Sequence, residues 1–231
     1  MDAHEYKSLA EFCKKQLDLS SFTFDGYYQN LPLCVIDAVF SISARYTSTR
    51  NTVERYARYF DLDAGLVKKI PPSTDQVPVN FLIESYQKYG LDFLTDKVYQ
   101  NRQRTSTRNG ILKSDSVLRF SQILRQHGIQ YMQDVDRFIG HASFEKAIQQ
   151  IPGQTSGICL RYFYILAGSP NHVKPDRMII RFIQSAIGKS VTPEQGHHYV
   201  VEACKILQQE YPDLTPAVLD NQIWNYQRLQ I

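Results

Sequence analysis

Apolar positions along this chain recur every three or four residues, and nearly every periodic stretch reads as a helix. Tyr6, Leu9, Phe12, Cys13 and Leu17 form one such stripe between His4 and Leu17. Leu33 to Arg45 opens on a dense apolar run, which predicts a largely buried helix; Asp37 within it is expected as a buried, hydrogen-bonded carboxylate. Asn51-Thr52-Val53-Glu54 has the spacing of a capping box and predicts a helix start, with Val53, Tyr56, Ala57 and Phe60 on the inner face. Pro71-Pro72 and Pro78 mark the main irregular connection, and the aromatic stretch from Ser21 to Tyr28 reads as a turn. Further helices are expected around 81–89, 91–100, 115–127, 132–139, 144–150 and 157–167. Three more begin near Pro175, Pro193 and Pro216, each with proline close to the first helical position. No alternating pattern of useful length competes, so the expected fold class is all-α.

The most informative stretch is Ile151-Pro152-Gly153-Gln154-Thr155-Ser156-Gly157, a glycine turn between two helical patterns. Phe144, Ala147 and Ile148 precede it at helical spacing; Ile158, Tyr162, Ile165 and Leu166 follow it, up to Gly168 and Pro170. A helix, a tight turn and a second helix can aim several backbone N–H groups in one direction, which favours an anion such as a DNA phosphate. Asp176 follows in Val173-Lys174-Pro175-Asp176-Arg177. It suits a helix cap, and equally a carboxylate that stabilises positive charge or deprotonates water.

These residues resemble the helix-hairpin-helix plus Gly/Pro-Asp (HhH-GPD) signature of the base-excision DNA glycosylases, the superfamily that includes endonuclease III. Ile151, Pro152 and Gly153 match the hairpin, Thr155 stands where its second glycine is usual, and Asp176 falls at the catalytic aspartate. Gly157 occupies the position of the amine nucleophile in the members that are also lyases, so the resemblance implies a monofunctional, water-using enzyme. Upstream, the run from Val35 to Ser43 is similar to an apolar helix ending in the family's DNA-wedging position, here Ser43. The likeness runs from about Leu31 to Phe182.

The resemblance implies two helical lobes: a central barrel over residues 30–174, and a second lobe built from 1–29 with 175–231. The hairpin, 151–157, is expected at the cleft between them. There a damaged base would be flipped from duplex DNA and its N-glycosidic bond hydrolysed with Asp176 as catalytic carboxylate. Gly153, Gln154, Thr155, Ser156 and Gly157 are then the DNA-binding turn, joined by Ser43, Lys174 and Arg177. Lys174 is also a conceivable substitute amine, two residues before Asp176. The runner-up is a catalytically silent helix-hairpin-helix module that binds DNA.

Charge and composition add less. The 231 residues carry a net charge of +3, enough for a local basic patch but far from a histone-like excess. Two basic stretches are candidate phosphate contacts: Arg45, Arg50, Arg55 and Arg58, and then Lys97, Arg102, Arg104, Arg108, Lys113 and Arg119. Arg104 and Arg108 lie in a loop rich in hydroxyl side chains and are the stronger candidates. Tyr27, Tyr46 and Trp224 are aromatic candidates for a base pocket. The four cysteines are isolated and His197-His198 has no third ligand at metal spacing, so no metal, iron–sulfur cluster or other cofactor is expected. No signal peptide and no membrane-spanning run are recognisable. The expectation is a cytoplasmic monomer, nucleoid-associated if bacterial, whose partner is double-stranded DNA carrying a damaged base.

Overall fold

The computed structural model describes residues 2–21 and 26–230, and the regular structure in them is helical. Two isolated antiparallel bridges, Tyr27 with Val67 and Arg104 with Leu112, are the exceptions among the described residues. Four positions of the aromatic turn expected at 21–28, residues 22–25, lie outside the described residues. In chain order the helices are α1 (Ala3–Gln16), α2 (Leu31–Phe40), α3 (Tyr46–Tyr59), α4 (Val79–Tyr89) and the short α5 (Leu91–Phe93). Then come α6 (Lys113–Gln126), α7 (Ala142–Gln149), α8 (Ile158–Leu166), α9 (Arg177–Ile187), α10 (Pro193–Leu207) and α11 (Pro216–Arg228). A π-helical turn, Leu94–Tyr99, continues α5, and a 3₁₀ segment, Met132–Phe138, precedes α7.

The chain divides into two compact units, one of Met1–Phe24 with Ser169–Ile231 and one of Asp25–Gly168. In the larger, α2 is buried at all ten positions and packs against α3, α4, α6 and α8. Each Leu, Val, Ile or Phe side chain so buried contributes about 1.5–3 kcal/mol, which makes α2 the centre of this unit's core. Asp37 is buried there as expected and accepts the Tyr28 hydroxyl at 2.7 Å.

Two expected boundaries shift. The helix predicted to reach Arg45 ends at Phe40; Ser41 caps it and Ser43 takes a left-handed φ of 49°. The helix predicted to start at Asn51 starts at Tyr46, so Asn51 to Glu54 lie inside it, and Glu54 pairs with Arg50 at 2.8 Å. Its first turn is Tyr46-Thr47-Ser48, too polar for hydrophobic periodicity to register, whereas the buried face of Val53, Tyr56 and Ala57 is where the spacing put it.

In the smaller unit α1 packs on α9 and α10, and α11 on the same two helices. Thr192 and Gln195 form a reciprocal capping box on α10 with Pro193 at its first position, and α11 opens on Pro216 with the Thr215 hydroxyl accepting the Val218 N–H. No helix of the described residues is long and apolar enough to cross a membrane.

Candidate nucleic-acid interface

The hairpin turn is held open by two glycines in left-handed backbone. Gly153 has φ 86° and Gly157 φ 69°, conformations that L side chains rarely adopt. A Cβ on Gly153 would also sit 2.5 Å from Thr105 Oγ1. Thr155, standing where the resembled hairpin has its second glycine, does not take positive φ, so that replacement carries no backbone strain. Ile151 accepts the Gln154 N–H at 2.9 Å and Gln154 accepts the Gly157 N–H at 3.0 Å, closing two successive turns. Among the described residues no backbone carbonyl accepts the N–H of Thr155 or Ser156, and both residues are exposed just before α8. Two adjacent N–H donors on exposed residues just ahead of a helix suit an anion.

The side chains sort themselves. Gln154 is buried, donating to Ser116 Oγ at 2.7 Å, so its side chain is directed into the core and only its backbone belongs to the turn. Thr105 ties the basic loop to the hairpin: its hydroxyl donates to the Pro152 carbonyl at 2.6 Å and accepts the Ile111 N–H at 3.2 Å. Arg104 and Arg108 are exposed in that loop, with Arg104 Nε on the Gly110 carbonyl at 2.9 Å. Lys113, expected as a phosphate contact, is instead 1 % exposed; its ammonium donates to the Phe40 carbonyl at 2.9 Å and to Gln103 Oε1 at 2.8 Å. Ser43 is exposed in the turn between α2 and α3, and Tyr46 is 40 % exposed at the first position of α3. Tyr27 is half-buried, its backbone bridged to Val67.

In the smaller unit Asp176 is the N-cap of α9. Its Oδ1 accepts the N–H of Met178 at 2.8 Å and of Ile179 at 3.4 Å, while no hydrogen bond engages its Oδ2 among the described residues. Arg177 is exposed at the first position of that helix. A second carboxyl, unmarked by the sequence pattern, belongs to the same neighbourhood. Asp220, on α11 and 8 % exposed, accepts the Lys174 N–H at 3.0 Å. Burial, and then the negative charge of Asp176, hold the Asp220 carboxyl well above the usual carboxylate range. A proton-holding carboxyl beside a half-buried carboxylate is an arrangement suited to acid–base work. Nothing but folding could have revealed it, since Asp220 lies 44 residues beyond Asp176 in a stretch that reads as an ordinary helix. Trp224, one turn further along α11, has the Arg228 guanidinium over its ring at 5.1 Å.

The raised pKa has a direct consequence for stability. The folded state holds the Asp220 proton more tightly than the unfolded chain, so its contribution is complete below about pH 3.9 and is lost as pH rises toward the folded value. Asp220→Asn keeps an acceptor for the Lys174 N–H without that liability. Thermal melts should therefore place the variant above wild type at pH 8, with the gap closing toward pH 4. Each pH unit between the two pKa values is worth about 1.4 kcal/mol, or about 3–6 °C of Tm. A gap that does not change with pH would mean that folding does not raise the Asp220 carboxyl.

Thiol chemistry has little to offer: burial pushes Cys13 and Cys34 well up and Cys204 up to about 12. Among the described residues no three His, Cys, Asp or Glu side chains are placed to hold a metal ion. A family model matches residues 7–228, and the chain belongs to that family, DUF8548, a domain of unknown function. No curated protein and no solved structure matches the chain.

Proposed function

We propose that this DUF8548 chain is a DNA-binding N-glycosyl hydrolase that removes a damaged base from duplex DNA without cutting the strand. The observation that carries this reading is the hairpin, with left-handed Gly153 and Gly157 bracketing two exposed residues, Thr155 and Ser156, whose N–H groups no backbone carbonyl accepts among the described residues, just ahead of α8. That arrangement suits a backbone phosphate, and the Arg104 and Arg108 loop fixed to it through Thr105 supplies charge alongside. The target base leaves the stack, because its glycosidic carbon is inaccessible inside the duplex. Asp176 then stabilises the positive sugar as the C1′–N bond breaks, and its unengaged Oδ2 orients or deprotonates the attacking water. Asp220 holds a proton beside it and anchors the Lys174 backbone. The product is an abasic site.

Strand cleavage is not part of the reaction. A lyase needs an amine at the sugar, and Gly157 supplies none. Its left-handed backbone also makes a simple restoration unfavourable: a lysine at φ 69° costs about 1–2 kcal/mol. Gly157→Lys is accordingly expected to melt about 2–8 °C lower than wild type and to form no borohydride-trapped adduct with DNA. An unchanged Tm together with a trapped adduct would contradict this account of the turn.

A catalytically silent DNA-binding module is the second reading, favoured by the cap that Asp176 Oδ1 already forms on α9. A panel of duplexes, each carrying one alkylated, oxidised, deaminated or mismatched base, separates the two. The proposal expects cuts at one lesion class only after hot alkali. Cuts without alkali would move attention to Lys174 as an amine. Salt-sensitive binding with no cut on any duplex would establish the silent module.

A further inference from the structure

The larger unit carries a second anion site that does not involve the hairpin. A cavity of about 470 Å³ opens where the first turn of α3 meets the segment Gln100 to Gln103. Every side chain lining it is polar and none is a carboxylate; Arg45, Arg55 and Arg102 bring three guanidinium groups from separate places in the sequence. Asp96 takes Arg102 through two hydrogen bonds, at 2.7 and 2.6 Å. Arg55 is steadied by the Tyr99 carbonyl at 2.9 Å, and neither it nor Arg45 has an ion-pair partner among the described residues. Two uncompensated guanidinium groups therefore face one cavity.

The wall is built rather than incidental. The π-helical turn Leu94–Tyr99 ends in left-handed Gln100, φ 49°, which turns the chain back along α3. Asn101 donates to Thr52 Oγ1 at 3.0 Å and accepts the Gln103 N–H at 3.0 Å. The buried Lys113 ammonium orients the Gln103 amide from behind and adds positive potential to that side. Thr47 and Ser48 add hydroxyls from the first turn of α3, where backbone N–H groups also collect.

We propose that this cavity binds a phosphate group, within a phosphodiester or a phosphomonoester. Guanidinium forks match the paired oxygens of such an anion, and the hydroxyls complete its hydrogen bonds. The volume leaves room for an attached sugar. The site stands independently of the glycosylase reading.

The test is a titration of the full chain, ¹⁵N-labelled, with inorganic phosphate, against chloride at equal ionic strength. Phosphate should give saturable shifts at the amides of Tyr46, Thr47, Ser48 and Gln103 that chloride does not. Arg45→Gln should weaken phosphate about tenfold, whereas Arg125→Gln, an exposed loss of the same charge on α6, should leave it unchanged. A short undamaged duplex is then added to the phosphate-loaded protein. Displacement identifies the source as nucleic-acid backbone, and retention identifies a free phosphate ester; either upholds the site. No saturable shift, or equal weakening by both variants, overturns it. Base release from the panel of damaged duplexes, measured on the same protein preparation, keeps the two proposals apart: phosphate binding without base release sinks only the glycosylase, and the converse sinks only this site.

Discussion

Asp176→Asn is expected to slow base release by about 10²–10⁴-fold while leaving duplex affinity and its salt dependence unchanged. The separation follows from where each task is assigned. In the proposed reading, binding rests on the backbone N–H groups of the hairpin and on the arginines of the loop beside it, none of which the substitution touches. The same reading assigns chemistry to a carboxylate whose Oδ1 is committed to Met178 and Ile179 and whose Oδ2 is not. Asparagine caps helices about as well as aspartate, so α9 keeps its start and the fold should be disturbed by only a few tenths of a kcal/mol. What asparagine lacks is negative charge opposite a developing cation and the capacity to take a proton from water. The variant also removes the charge that helps raise the Asp220 pKa, so the pH dependence of its stability should flatten. A melt more than about 5 °C below wild type would show Asp176 to be structural first, and undiminished base release would remove it from the mechanism.

Gly153→Ala should strongly destabilise the larger unit. Two penalties coincide at this position: left-handed backbone, worth about 1–2 kcal/mol, and overpacking against Thr105, worth about 1–3 kcal/mol. Thr105 cannot retreat freely, because its hydroxyl bonds both the Pro152 carbonyl and the Ile111 N–H. The sum, about 2–5 kcal/mol, corresponds to a Tm lowered by about 4–20 °C. Because the same contact fixes the basic loop to the hairpin, duplex binding should fall as well, even at temperatures where the variant is folded. Thr105→Ser gives the useful contrast: it keeps the hydroxyl and should retain binding. If Gly153→Ala melts with wild type, the turn is more plastic than its geometry implies.

How far the sequence speaks differs between helices and site. The helices were legible because their buried faces repeat: Val53, Tyr56 and Ala57 on α3, or Leu9 and Cys13 on α1, sit inward as the spacing demands. Their ends were less legible where caps are not side-chain caps. Arg45 precedes α3 in extended conformation and its side chain forms no capping hydrogen bond, so the chain offered Asn51 as a more conventional start than the real one. The turn at 151–157 was recognisable from its glycines, and the strain those glycines relieve is local. The fates of Lys113 and Asp220 were not readable. A lysine in a polar, basic stretch has no sequence mark distinguishing a solvated ammonium from one buried between the Phe40 carbonyl and Gln103. Asp220 becomes unusual only when α11 packs on α9 and withdraws it from water near Asp176. The cavity of Arg45, Arg55 and Arg102 is of the same kind: its residues span two charge runs whose convergence depends on the turn at Gln100.

The most direct measurement is mass spectrometry of the small molecules released when the protein is incubated with duplex DNA damaged by alkylation, oxidation and deamination. The account predicts one class of free base, absent with Asp176→Asn, released from strands that remain full length until heated in alkali. DNA that is bound in a salt-dependent manner yet yields no free base from any damage would contradict it.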